Sequence, residues 1–207
     1  VTVVNYQTSR GCYYGKCTFC SFDIKQNFRF RKADLVVSDI ERIQAQTGLR
    51  HMIFWDPLTP PRVMRDVSLW NKGRGERAIF WGAETKSEKT FLDPAFTDLL
   101  YAGGGRFLQF GYESGSQRVL DLMVKGNDLG KVQVMLDNFA RSGIAVSVHW
   151  FIGFPGETEE EARQSSRLLD RNPAAVLLSS YMGTYTISPD DDVFASGGDL
   201  YDVDLVQ

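Results

Sequence analysis

Cysteine is scarce in this chain of 207 residues: there are three, and all lie between positions 12 and 20. An odd, tight group argues against the disulfide framework of a small secreted domain, which spreads an even number of cysteines along the chain. It fits a metal site in a reducing compartment, so the cytoplasm is the expected location. Histidine is rarer still, with only His51 and His149, both far from the cysteines in sequence. No apolar run approaches the roughly 20 residues that cross a bilayer, and no membrane association is expected. A net charge of −3 gives no general electrostatic reason to bind nucleic acid or an anionic surface. Low-complexity tracts and evident linkers are missing too, which points to one domain over residues 1–207. The chain starts at Val1 with neither an initiator methionine nor a charged-then-apolar leader, and residues 199–207 trail off as an acidic extension. The expectation is a domain excised from a longer protein, with upstream and downstream domains missing.

Present instead is a steady alternation of short apolar runs and amphipathic segments. Residues 1–6, 51–55, 78–83, 106–112, 145–152 and 174–185 read as strands, most of them nearly continuous in apolar residues. Between them, 34–47 carries Val36, Ile40 and Ile43 at helical spacing and stops at Gly48. A weaker helix is expected over 61–69. Asp93-Pro94 supplies an N-cap and a first-turn proline for a helix ending at the Gly103–Gly105 triplet. Helices follow over 116–123 and 128–142, and Thr158 with Glu161 forms a capping-box pair opening another that runs to about 170. Six strands separated by helices imply parallel units with right-handed crossovers, either an open doubly wound sheet or a partial barrel.

The cysteines stand as Cys12-x4-Cys17-x2-Cys20 just after the first strand. Three thiolates on one loop can converge on one metal centre, and thiolates are the usual ligands of iron–sulfur clusters. Electron-transfer clusters generally take four cysteines. A cubane held by three leaves one iron open to a ligand that is not protein. Two other readings stand beside it: a zinc site completed by a histidine, in a non-catalytic binding module, and a redox dithiol of Cys17 and Cys20.

The neighbouring residues carry a resemblance. Residues 9–22, with the aromatic Phe19 before the third cysteine, resemble the signature loop of radical S-adenosylmethionine (radical SAM) enzymes. Phe110-Gly111-Tyr112-Glu113-Ser114-Gly115-Ser116 is similar to the fourth-strand segment of that superfamily, and Phe151-Ile152-Gly153-Phe154-Pro155-Gly156-Glu157-Thr158 to the fifth. The three blocks occur in the right order. The pattern is most like the branch whose members often carry a cobalamin-binding domain upstream. The four-residue first spacing departs from the commoner three and sets the chain apart from the methylthiotransferase group. Asp56-Pro57-Leu58 stands where a Gly-Gly-Glu motif is usual.

The resemblance implies a partial (β/α)6 TIM-like barrel of mainly parallel strands. It implies a 4Fe–4S cluster on Cys12, Cys17 and Cys20, with SAM chelated on the open iron and cleaved by one electron to methionine and a 5′-deoxyadenosyl radical. SAM, a small-molecule or peptide substrate and an external electron donor are the implied partners. Cobalamin would be held by a domain outside these residues, in methyl transfer or ring formation. Phe19 would lie near the adenine, and Glu113 and Ser114 near the ribose or methionine. Glu84, His149 and Gly153 are the further expected cofactor contacts. Each has a plainer reading: Glu84 a solvated loop carboxylate, His149 a core histidine on the same strand face as Ser147 and Phe151, Gly153 a turn residue. Asp56 reads as a strand-end contact or as the turn residue before Pro57. Residues 28–32 interleave aromatic and basic side chains and are expected to be a strand-like extension beside the cysteine loop rather than a nucleic-acid contact.

Overall fold

The computed structural model describes residues 2–20, 25, 27–172 and 176–196. Val1, the last two residues of the cysteine signature (Ser21 and Phe22), the first residues of the expected last strand and the acidic extension lie outside them.

Six strands form one sheet: β1 (Val4–Tyr6), β4 (His51–Phe54), β5 (Phe80–Thr85), β6 (Gly105–Glu113), β7 (Ala145–Ile152) and β8 (Val176–Thr184). Every neighbouring pair is parallel, and the spatial order is the chain order. A doubly wound sheet reverses its order at a switch point. Here each strand is added on the same side of the last, which gives a curled half-barrel. Two short strands, β2 (Ser9–Arg10) and β3 (Arg29–Phe30), pair antiparallel and bracket the cysteine loop.

The crossovers are α1 (Ala33–Thr47), α2 (Pro61–Asn71), α3 (Pro94–Ala102), the short α4 (Gln117–Leu122) with α5 (Leu129–Ser142), and α6 (Glu159–Arg171); α7 (Asp192–Ala195) closes the described chain. Their starts are chemically marked. Asp93 accepts the Ala95 N–H at 2.9 Å, and Asp128 accepts the Lys131 N–H at 3.2 Å. Thr158 and Glu161 bond reciprocally, as a capping box does. The helices bury Val36, Ile40, Met64, Val67, Leu100, Met135 and Phe139 in one core with Phe54, Trp81, Leu108, Phe110 and Val148 of the strands. Each large apolar side chain so buried contributes about 1.5–3 kcal/mol.

Two element boundaries bear on the site. The third strand of the sheet, β5, begins at Phe80, because the Ala78 N–H closes the 3-10 turn onto Gly75 and the Asn71 amide takes the Ile79 N–H and carbonyl, and it extends to Thr85. Glu84 is therefore a strand residue. Ser116 is the cap of α4 rather than its first turn, and its hydroxyl accepts the Val119 N–H at 3.3 Å.

Candidate cofactor-binding site

The carboxyl ends of the parallel strands open onto a cavity of about 690 Å³, where barrel-like enzymes place their ligands. Cys12, Cys17 and Cys20 all line it, together with Phe19, Glu84, Glu113 and His149. The structure thus brings seven of the nine expected site residues to one cavity. Ser114 and Gly153 lie outside that lining.

The cysteine loop is fixed at both ends. At its start, both Asp56 oxygens are taken: Oδ1 accepts the Thr8 and Ser9 N–H groups at 2.7 and 2.8 Å, and Oδ2 the Thr8 and Thr59 hydroxyls at 2.5 and 2.9 Å. Asp56 lines the cavity, but its bonding clamps the end of β4 to the entry of the loop. Farther on, Tyr13 donates to Glu88 at 2.8 Å and Tyr14 to the Val124 carbonyl at 2.7 Å. The Thr18 N–H donates to the Met123 carbonyl at 3.0 Å.

The three thiols are free, with Cys17 buried and the others partly so. Burial pushes the Cys17 thiol up to about 11, Lys125 opposes this, and the other two sulfurs add to it. Cys20 is raised by burial and by Cys12. Three thiolates on one loop, one of them buried and two partly so, repel one another unless something positive sits among them, and an iron–sulfur core is such a group. Among the described residues no three histidine, cysteine, aspartate or glutamate side chains converge tightly enough to grip a single ion. Zinc needs its donors within about 2.0–2.3 Å of one point. Three thiols lining one cavity suit a cluster in which each takes its own iron. The residues present fit a cluster.

Opposite the loop, β6 ends in an irregular turn. Its register with β7 shifts between Gly111 and Glu113, and Glu113 takes φ +66°, a left-handed conformation that is uncommon for a side-chain-bearing residue. This turn delivers the Glu113 carboxylate to Lys125, whose ammonium donates to Oε1 at 2.6 Å with both side chains about nine-tenths buried. Burial works against the Lys125 charge, but Glu113 and Cys17 outweigh it and raise its pKa above the ordinary lysine value. A Cβ at Gly111 would stand 2.5 Å from Glu113 Oε1 and 2.6 Å from Lys125 Nζ, so the pair needs a bare backbone there. Sequence reasoning misses Lys125, because a lysine between two helices reads as a solvated turn residue. Gly126 behind it is the only local signal.

Glu84 is half-buried, and among the described residues no donor lies within hydrogen-bond distance of its carboxylate. Burial raises its pKa from 4.5 to about 7; Lys125 opposes the shift, while Glu113 and Asp56 add to it. Burial lowers the pKa of His149, whose Nε2 lies 3.4 Å from Gln109 Nε2. Lys86, a second lysine of the lining, places its ammonium 4.4 Å from the Tyr14 ring centre. Phe19 meets Phe151 edge-on at 5.1 Å, and Phe151 stacks on Tyr185 at 5.7 Å, giving the cavity an aromatic side.

The remaining two residues are used within the chain's own turns. The fully buried Ser114 accepts the Ser116 N–H at 3.2 Å and donates to Glu157 at 3.5 Å. Gly153, at φ +84°, donates its N–H to Glu157 Oε2 at 2.6 Å.

Residues 6–169 match the sequence profile of the radical SAM superfamily. An uncharacterised methyltransferase of Pyrococcus horikoshii is 28% identical over 186 residues, which are 86% of this chain and 39% of that protein. Among solved structures, the radical SAM methyltransferase TsrM of Kitasatospora setae, with tryptophan and a SAM analogue bound, superposes with a TM-score of 0.74 at 20% identity. That match covers 92% of this chain and 37% of TsrM. The cobalamin-dependent radical SAM enzyme OxsB, with aqua-cobalamin bound, gives a TM-score of 0.77 at 16% identity, over 98% of this chain and 36% of OxsB. At such identities the superpositions establish the fold. The chain spans about two fifths of the length of these proteins.

Proposed function

We propose, from the premise that this chain belongs to the radical SAM superfamily, that Cys12, Cys17 and Cys20 hold a 4Fe–4S cluster and that the cavity binds SAM beside it. The observation that carries this is the gathering of all three cysteines, with Phe19, Glu84, Glu113 and His149, on one cavity at the strand ends. When bound, the cluster and SAM supply reductive cleavage of SAM to methionine and a 5′-deoxyadenosyl radical. The chain's own residues bind, orient and exclude water. Phe19, Phe151 and Tyr185 offer an aromatic side suited to a purine. Glu84, with no donor to its carboxylate among the described residues, is available to a ligand ammonium, whereas the Lys86 ammonium donates to the Ser87 carbonyl at 3.1 Å and faces Glu88 at 3.8 Å. His149, whose neutral form burial favours, can donate or accept a hydrogen bond there. Asp56 and Tyr14 hold the cysteine loop against the barrel, and Ser114 and Gly153 shape the turns behind the wall.

For the whole protein we propose an enzyme of the cobalamin-dependent kind, in methyl transfer or ring formation, with cobalamin held outside this domain. The P. horikoshii methyltransferase and the fold shared with TsrM and OxsB support that reading. An external electron donor, a small-molecule or peptide substrate and a cytoplasmic setting complete it. No described helix is long and apolar enough to cross a membrane.

The test is anaerobic reconstitution with iron and sulfide, followed by SAM and a strong reductant. A brown protein that forms 5′-deoxyadenosine, and a Cys17→Ala variant that does neither, is the expected result. Stoichiometric zinc without a chromophore, or a cluster that leaves SAM intact, would overturn the proposal.

A further inference from the structure

We propose that Lys125 is a positioning residue for the cluster: its ammonium, on the cavity that Cys17 and Cys20 line and steadied by Glu113, offsets the negative charge of the thiolate-bound cluster and makes it easier to reduce. The inference rests on the cluster reading above and deepens it.

The placement is built from three sides. From the cysteine loop come bonds to three successive carbonyls just before the lysine. Thr18 Oγ1 donates to Leu122 at 3.5 Å, the Thr18 N–H to Met123 at 3.0 Å, and Tyr14 Oη to Val124 at 2.7 Å. The loop that carries the sulfurs therefore fixes the register of the lysine turn directly. Within the turn, Val124 takes φ +51°, a strained conformation for a β-branched residue, and Gly126 takes φ +71°. From β6 comes Glu113, itself held in the left-handed region, with Gly111 bare beneath the pair. Left-handed backbone at Glu113 and Val124, which no glycine relieves, persists only where surrounding structure over-determines it.

The charges argue the same way. An ammonium carries three donors. Glu113 takes one, and among the described residues no other acceptor lies within hydrogen-bond reach. Two donors remain at a cavity that the three sulfurs line. The ammonium also stands 5.7 Å from the ring centre of Phe19, the residue just before Cys20. Cluster potentials respond to net charge, hydrogen bonds to sulfur and solvent exposure, and a buried positive charge acts through a weakly screening medium. A lysine serving only the fold would not need a strained turn tied to the sulfur-bearing loop.

The test is a potentiometric titration, followed by electron paramagnetic resonance, of the reconstituted full-length protein without SAM. Wild type is compared with Lys125→Met, Lys125→Arg and Glu113→Gln. The Met variant is expected to keep its iron and sulfide while becoming about tenfold harder to reduce, about 59 mV for a one-electron couple. The Arg variant should return to near the wild-type midpoint. Removing the opposing carboxylate in Glu113→Gln should shift the midpoint the other way. If Met and Gln variants with intact clusters titrate at the wild-type midpoint, this inference alone is overturned. Should the Met variant hold no cluster, Glu113→Gln decides, and an unshifted midpoint there overturns it. A wild-type protein that binds no cluster brings down the cofactor reading, and this inference with it.

Discussion

Two turns at the ends of neighbouring strands carry nearly the same residues and do different work. After β6 comes Gly111-Tyr112-Glu113-Ser114-Gly115-Ser116, and after β7 comes Gly153-Phe154-Pro155-Gly156-Glu157-Thr158. Each pairs glycines with one glutamate and ends on a hydroxyl residue that caps the next helix. In the second turn Glu157 folds back on its own segment and accepts the Gly153 N–H. In the first, the left-handed backbone at Glu113 turns the carboxylate away from local donors and gives it to Lys125, twelve residues on. A strand-end carboxylate is available for chemistry when its own turn leaves it unsatisfied. Composition does not separate the two cases; backbone conformation does.

The contrast between the turns can be broken most violently at Gly115. A Cβ there would lie 2.4–2.5 Å from the backbone of Gln164 and Ser165, where no flexible tip can yield. Gly115→Ala should cost about 3 kcal/mol, read as a lowered urea midpoint, by forcing the β6 turn off α6. A stability loss below about 1 kcal/mol would show that the turn has slack.

Next come the two glutamates. Glu113→Ala is expected to lower 5′-deoxyadenosine formation about 10²-fold, the cost of misplacing a group at the reacting centre. Glu157→Ala should leave that rate within about threefold of wild type and lower stability by about 1 kcal/mol, the worth of the turn hydrogen bonds it removes. Equal rate losses in the two variants would erase the distinction.

A third carboxylate sharpens it through pH. Folding raises Glu84 from 4.5 to about 7. Between those values the folded chain holds a proton that the unfolded chain has released, so stability falls as pH rises through that window. Glu84→Gln should flatten that part of the profile and make the ligand-free protein more stable than wild type at about pH 8. Urea midpoints on either side of that window read this directly, and an unchanged slope in the variant would remove Glu84 as the source. The smallest effect is expected at Gly153, where φ is +84° but among the described residues an added Cβ meets only Thr184, at 3.4 Å. Gly153→Ala should cost about 1 kcal/mol of backbone strain with little change in SAM cleavage.

Much of the scaffold is legible because its signals are local. Parallel strands are written as apolar runs, and β7 spans Ala145–Ile152 as its pattern predicts. Helix starts announce themselves through Asp93, Asp128 and the Thr158–Glu161 pair. The choice between barrel and doubly wound sheet is not local, since both share the same strand–helix rhythm, and strand order resolves it. In the site, the cysteines stand out by spacing alone. Lys125 does not, because its burial depends on a bulge and a partner on another element. Asp56 reads as a strand-end contact or a turn residue before Pro57, while two of its four bonds come from the Thr8 N–H and hydroxyl, 48 positions earlier. Ser114 and Gly153 read as contacts because they sit at strand ends. The structure shows the Ser114 hydroxyl and the Gly153 N–H bonded within those two turns.

The Asp56 clamp bears on the order in which the protein is made. In a zinc finger the metal is the fold's keystone, and the apo chain is unfolded. Here the entry to the cysteine loop is tied to the end of β4 by oxygen and nitrogen alone, with no sulfur involved. That tie asks nothing of a metal. If a cluster is the occupant, as proposed, its oxidative loss is expected to leave the entry of the loop anchored to the barrel, so that refilling need not begin from an unfolded chain.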